Sequence, residues 1–235
     1  MYHLLKGLHA HLTRKDEYSV VIIGLDNTML ERIKTLYNPT PGMTPDKIGP
    51  TVGQNIGKIS LPSTTLHFFD LGGQRDIRSI WPKYYDECHA VVFVVDAMDQ
   101  GRLSETWEVF DEVLNSPRLL NLPLLLLANK QDAPNSLSVA EIRESFDAWQ
   151  RARPSKHPTR EGKGKEREKE ETGSSGLGGE GEGEDRIPEE GWDDGGAKDE
   201  RMASLDVMGV SALEGTGVRD AVNWLYIRVQ NARKM

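Results

Sequence analysis

Hydrophobic residues along this chain change their spacing in a way that separates strands from helices. Residues 18–23, 66–69, 90–95 and 122–128 are short apolar runs, and the last two are continuous, as in strands buried on both faces of a sheet. Between the runs the spacing lengthens to three and four. Residues 28–37 place Met29, Leu30, Ile33 and Tyr37 on one face, 103–114 turn Trp107, Phe110, Val113 and Leu114 inward, and 139–149 repeat the pattern with Ile142, Phe146 and Trp149. A last strand over 205–210 precedes a helix with Val218, Val222, Leu225, Tyr226 and Val229 inward. This alternation predicts an α/β domain whose mostly parallel central sheet is flanked by helices on both faces.

Two segments fall outside that rhythm. Residues 151–202 turn abruptly to Gly, Glu, Lys, Arg and Asp, basic first (Lys163, Lys165, Arg167, Lys169) and acidic after (Glu180, Glu182, Glu184, Asp185). Such a segment cannot bury enough apolar area to fold, so a disordered, charged, Gly-rich insertion is predicted. Lengthening a connection from a few residues to about fifty adds only about 2 kcal/mol of closure entropy, so the domain tolerates it. Residues 1–16 place Leu4, Leu5, Leu8 and Leu12 on one helical stripe beside Lys6, Arg14 and Lys15. That is the pattern of an amphipathic helix, packed either on its own domain or on an anionic membrane surface.

Charge and composition narrow the classes. The net charge is −8 over 235 residues, which argues against a nucleic-acid binder, since that needs a concentrated basic face. Cys88 is the single cysteine, so no intramolecular disulfide can form, and no Cys/His metal pattern is present. The apolar runs are far below the roughly 20 residues of a membrane-spanning helix.

Chemistry concentrates where strands end. Asn129-Lys130-Gln131-Asp132 follows the run 122–128, at the carboxyl edge of the sheet where a nucleotide base lies in such folds. The Asp132 carboxylate can accept hydrogen bonds from N1 and the 2-amino group of guanine, a donor pair that adenine lacks. Asn129 can brace the loop, the Lys130 stem can cover the ring, and Ser211-Ala212 can support the base through backbone amides. Asp70-Leu71-Gly72-Gly73-Gln74 closes another strand. There Asp70 can hold magnesium through water, Gly73 can bring its amide to a terminal phosphate, and Gln74 can orient the attacking water. Thr51 can add a magnesium-binding hydroxyl.

One part is missing. After the first strand the chain reads Gly24-Leu25-Asp26-Asn27-Thr28-Met29-Leu30-Glu31, whereas a phosphate loop needs G-x-x-x-x-G-K-[ST]. Met, Leu and Glu stand where Gly, Lys and the hydroxyl belong. Thr28 to Glu31 instead forms a capping-box pattern able to start a helix after a short turn.

The motifs, in this order and spacing, resemble the ADP-ribosylation factor branch of small GTPases, and most of all ADP-ribosylation factor-related proteins. Residues 50–57 look like the family's first switch, and Asp70 to Gln74 followed by Ile80-Trp81-Pro82-Lys83-Tyr84-Tyr85 look like its second. The resemblance implies a small GTPase domain over 17–150 and 203–235. It further implies a GTP/GDP switch with magnesium, acting in vesicle-mediated and intracellular protein transport and peripheral on Golgi membranes through the N-terminal helix. An exchange factor, a GTPase-activating protein and Golgi effectors would be its partners. Residues 55–69 would be the hairpin between the switches, and Gln54 stands where the family usually has an apolar residue.

Against the family pattern G-L-D-N-A-G-K-T-T, four residues are cut out cleanly after Asn27. Gly24, Asp26, Asn27 and Thr28 remain as candidate nucleotide contacts, but the phosphate-binding Lys and the metal-binding hydroxyl have no counterpart. Lys34 lies about two turns into the helix and cannot substitute. Losing those groups removes roughly 6 kcal/mol, over ten-thousandfold in affinity. Two origins fit the gap: a misplaced splice boundary in a predicted gene, or a nucleotide-blind relative that keeps its partner-binding surfaces.

Overall fold

The computed structural model describes residues 15–25, 29–38, 53–152 and 205–232. Six strands form one sheet: β1 (Asp16–Gly24), β2 (Gln54–Ser60), β3 (Thr64–Leu71), β4 (Ala90–Asp96), β5 (Leu124–Asn129) and β6 (Leu205–Gly209). Their spatial order is β2-β3-β1-β4-β5-β6. All pairings are parallel except the β2–β3 hairpin. Six α-helices, α1 (Met29–Tyr37), α2 (Arg75–Arg78), α3 (Pro82–Tyr85), α4 (Leu103–Leu114), α5 (Val139–Ala152) and α6 (Val218–Ala232), and two short 3-10 turns, Gln100–Arg102 and Pro117–Leu119, complete the described fold.

Alternation along the strands divides the core into two layers. Val20, Ile22, Phe68, Val92 and Leu125 point to one side, where Met29, Leu30 and Ile33 of α1 and Val222, Leu225 and Val229 of α6 cover them. Val21, Ile23, Phe93, Leu126 and Ala128 point to the other, against Trp107, Phe110 and Val113 of α4 and Ile142 and Phe146 of α5. Both faces are therefore buried, which is why the central strands read as unbroken apolar runs.

Trp107 anchors the second layer. Its ring lies 5.2 Å from that of Phe146 and 6.2 Å from that of Phe110, and its Nε1 donates to Ser145 Oγ at 3.0 Å. Trp107→Ala is expected to cost about 3–5 kcal/mol through the cavity it leaves. An unchanged denaturant midpoint for that variant would contradict this packing.

Several boundaries differ from the sequence reading. Asp16 and Glu17 already pair with Thr64 and Thr65, so β1 takes the last residue assigned to an N-terminal helix; residues 1–14 lie outside the described residues. Helix α5 continues through Arg151 and Ala152, because its charged exposed face needs no further apolar partner to extend one turn. Of the expected insertion, the remaining 153–202 lie outside the described residues. Tyr226, expected inward, is only half-buried, and its hydroxyl meets Ser63 Oγ at 2.8 Å in the β2–β3 turn.

Candidate functional site

The parallel strands all end at one edge of the sheet. β1 lies between β3 and β4, the switch point in strand order outside which α/β sheets hold their ligands. Gly24 closes β1 there, and it must be glycine: an added Cβ would stand 2.3 Å from the Val94 carbonyl oxygen. Asp70 pairs with Ile22 in the β1–β3 register, Asp96 with Asn129, and Ala128 with Gly209. The sheet thus brings Gly24, Asp70, Gly73, Asn129 to Asp132 and Ser211-Ala212 to one rim.

The base end is the better built. Asn129 is 4% exposed, and its Oδ1 accepts the Ala212 backbone N–H at 2.9 Å. Gln131 N–H donates to the Val210 carbonyl at 3.1 Å, and Gln131 Nε2 to the Leu137 carbonyl at 2.8 Å. Lys130 takes a left-handed backbone, φ 68°, which swings Asp132 outward on an exposed turn. Ser211 Oγ hydrogen-bonds Asp132 Oδ1 and accepts from the Glu214 amide at 2.9 Å, so one hydroxyl aims the carboxylate. The remaining acceptor capacity of Asp132 faces solvent at the rim, where it suits a paired donor such as the N1 and 2-amino edge of guanine.

Two details were not legible from motifs. Lys130 Nζ pairs with Asp96 Oδ2, so its stem lies along the end of β4; the Val-Asp ending of that strand was the available signal. The amides expected to face the base are engaged within the loop: that of Ser211 bonds the Thr216 carbonyl at 3.0 Å, and that of Ala212 bonds Asn129. These bonds make the turn rigid before any ligand arrives.

The phosphate end is different. Asp26, Asn27, Thr28 and Thr51 lie outside the described residues. Helix α1 begins at Met29, and Met29 and Leu30 are fully buried in the core. The lysine of a phosphate loop therefore has no counterpart at the start of this helix, and the first basic residue there, Arg32, has its guanidinium against Gly215. Lys34 Nζ instead pairs with Glu31 Oε1 at 2.6 Å, and Asn55 Nδ2 donates to the same oxygen at 2.8 Å. Burial opposes the Glu31 carboxylate, but these two donors outweigh it and hold its pKa below the ordinary value.

The Asp70 to Gln74 segment is tightly held. Asp70 is 2% exposed. Gly72 N–H donates to the Gly53 carbonyl at 2.9 Å, and Trp81 Nε1 donates to the Gly72 carbonyl at 3.0 Å. Arg78 Nε donates to the Gly73 carbonyl at 2.7 Å, and its Nη2 to Glu105 Oε1 at 3.0 Å. The Arg78 hydrogen bond keeps the Glu105 pKa below the ordinary value. Gln74 is exposed beyond this anchor.

Beside it, the Tyr84 hydroxyl donates to Gln54 Oε1, and the Phe69 and Tyr84 rings lie 5.7 Å apart. Ile56 on edge strand β2 is 54% exposed. The polar Gln54 is thus absorbed into an otherwise apolar surface. Cys88 is buried, and burial pushes its thiol up to about 12.

Comparison with known proteins gives the family and the fold. The model of the ADP-ribosylation factor family matches residues 4–159. ADP-ribosylation factor-related protein 1 of Rattus norvegicus is 47% identical over 151 residues, covering 62% of this chain and 75% of that protein. ADP-ribosylation factor-like protein 3 of Saccharomyces cerevisiae is 33% identical over 239 residues, covering 100% of this chain and 96% of the relative. In fold, the chain is similar to the Arl6 BBS3 small GTPase of Trypanosoma brucei, solved with a bound nucleotide analogue, at TM-score 0.62 and 23% identity, covering 92% of this chain and 99% of that one.

Proposed function

This chain belongs to the ADP-ribosylation factor family, and from that premise we propose that it serves Golgi vesicle-mediated and intracellular protein transport as a guanine-nucleotide-binding protein of the ARF-like kind. The observation that carries the nucleotide part is the Asn129–Ala212 and Ser211–Asp132 pairing, which fixes an acceptor carboxylate where guanine has two donors. Adenine would leave that charge without partners. Family membership supports the wider role: residues 1–14 for contact with Golgi membranes, and the surface of Ile56, Phe69 and Tyr84 for effectors, an exchange factor and a GTPase-activating protein.

The family usually pairs GTP or GDP with Mg2+. At the phosphate end the residues present do not fit that group. Four residues separate Leu25 from Leu30, among them no Gly, Lys or metal-binding Ser, and Asp70 is the one carboxylate at the end of β3. This chain is therefore assigned no hydrolytic step, although Gln74 stands where the family orients water. The shortened turn favours a second reading, a nucleotide-blind interaction module that docks on membranes and trafficking partners.

Titration of the purified chain with a fluorescent GTP analogue, competed with GTP and ATP, separates the two. The guanine reading expects weak binding, displaced by GTP and not by ATP; equal displacement by both, or no binding at millimolar concentration, leaves the interaction module standing. Imaging the tagged chain beside a Golgi marker tests the trafficking role, and a uniform distribution would oppose it.

A further inference from the structure

Gly73 is pressed against the shortened turn after β1. A Cβ added at Gly73 would stand 2.1 Å from the Gly24 carbonyl oxygen and 2.4 Å from that of Leu25. A side chain of even one carbon cannot enter there. The backbone of Gly24 and Leu25 therefore packs directly on the Cα of Gly73.

We propose that this backbone contact locks the second switch, residues 70–85, in one position regardless of nucleotide, so that the chain presents a constant partner-binding surface. The seat is built from both sides. Gly53, Trp81 and Arg78 hold the polar groups of Gly72 and Gly73, and Glu105 of α4 holds Arg78. Two small helices, α2 and α3, follow immediately and place Trp81 and Tyr85 in the core. A ligand shifts a conformational equilibrium only by its difference in affinity for the two states. A nucleotide held by its base has no phosphate contact with Gly73 through which to favour either state. The surface of Ile56, Phe69 and Tyr84 therefore stays as it is with GDP, with GTP, or with neither.

The inference rests on the guanine reading only for the choice of ligand. Hydrogen exchange of the full chain, followed by mass spectrometry over residues 70–85, tests it in the nucleotide-free state and with millimolar GDP or a non-hydrolysable GTP analogue plus magnesium. Exchange rates should agree within about twofold in all three, as expected where the opening equilibrium is unchanged. Slowing by about tenfold or more with the GTP analogue alone would overturn the lock. Gly73→Ala should speed exchange across 70–85 by about tenfold or more while β4 and β5 stay protected. Should that variant fail to fold, Arg78→Ala, which frees the Gly73 carbonyl, should loosen the same residues. Unchanged exchange in the folded variants would overturn the proposal. Failure of the guanine reading shows separately, as absence of nucleotide binding, and leaves the nucleotide-free and variant measurements decisive.

Discussion

Inserting Ala-Gly-Lys-Thr after Asn27 raises the affinity of this chain for GTP by about ten-thousandfold or more. The insertion supplies a lysine, a hydroxyl and further amides, and charge-assisted bonds contribute about 1.5–3 kcal/mol each, so together they give roughly 6 kcal/mol. The fold can accept it. Met29 and Leu30 are fully buried and anchor the start of α1, while Gly24 is fixed against Val94, so four more residues extend a loop at the carboxyl rim without moving the core. The longer loop also gives the backbone room to leave Gly73, which should make residues 70–85 respond to GTP. Fluorescent-nucleotide titration of both chains, with magnesium, measures the change. A gain below about tenfold would mean that the phosphate contacts do not dominate affinity here.

In that lengthened chain, Asp132→Ala weakens GTP binding by about a hundredfold to ten-thousandfold. Two hydrogen bonds to a charged acceptor are lost, together about 3–6 kcal/mol. Discrimination of GTP from ATP should collapse with them, because it depends on the acceptor pair that guanine alone can satisfy. Ser211→Ala is the informative control. It removes the hydroxyl that aims the carboxylate but leaves the charge, so its effect should be closer to tenfold. Competition of a labelled GTP analogue by GTP and ATP reads both. If Asp132→Ala kept the preference for GTP, the base would be recognised elsewhere.

The central sheet was legible because its strands are buried on both faces: residues 90–95 and 122–128 have no polar interruption to hide their period. The edge strand β2 was not visible in that way. Gly57 and Lys58 break its apolar run, and only the family likeness marked a hairpin there. Helices α2 and α3 are four residues each, too short to show a helical period. What fixes them is tertiary: Trp81 and Tyr85 fill the layer beneath, and Trp81 bonds the Gly72 carbonyl.

At the site, Asn129, Asp132, Ser211 and Gly73 could be named from motifs because each stands at a strand end. Their partners could not. Asp96 against Lys130, and Glu105 against Arg78, join residues 34 and 27 apart in sequence; the Val-Asp ending of β4 marked one side of the first pair, and nothing local marked the second. The absence of the phosphate-binding lysine was plain from the start, whereas the close packing of Gly73 on Gly24 and Leu25 needed the folded backbone.

Calorimetric titration of the unaltered chain with GTP and with guanosine, both in magnesium, tests most directly whether only the base end of this site works. The phosphates have no phosphate-loop lysine at the start of α1 to meet, and the Arg32 guanidinium there lies against Gly215, so the two ligands should bind with similar, weak affinity, within about tenfold of each other. Binding of GTP thousands of times tighter than guanosine would contradict the account, because the phosphates would then have found ligands that this turn does not supply.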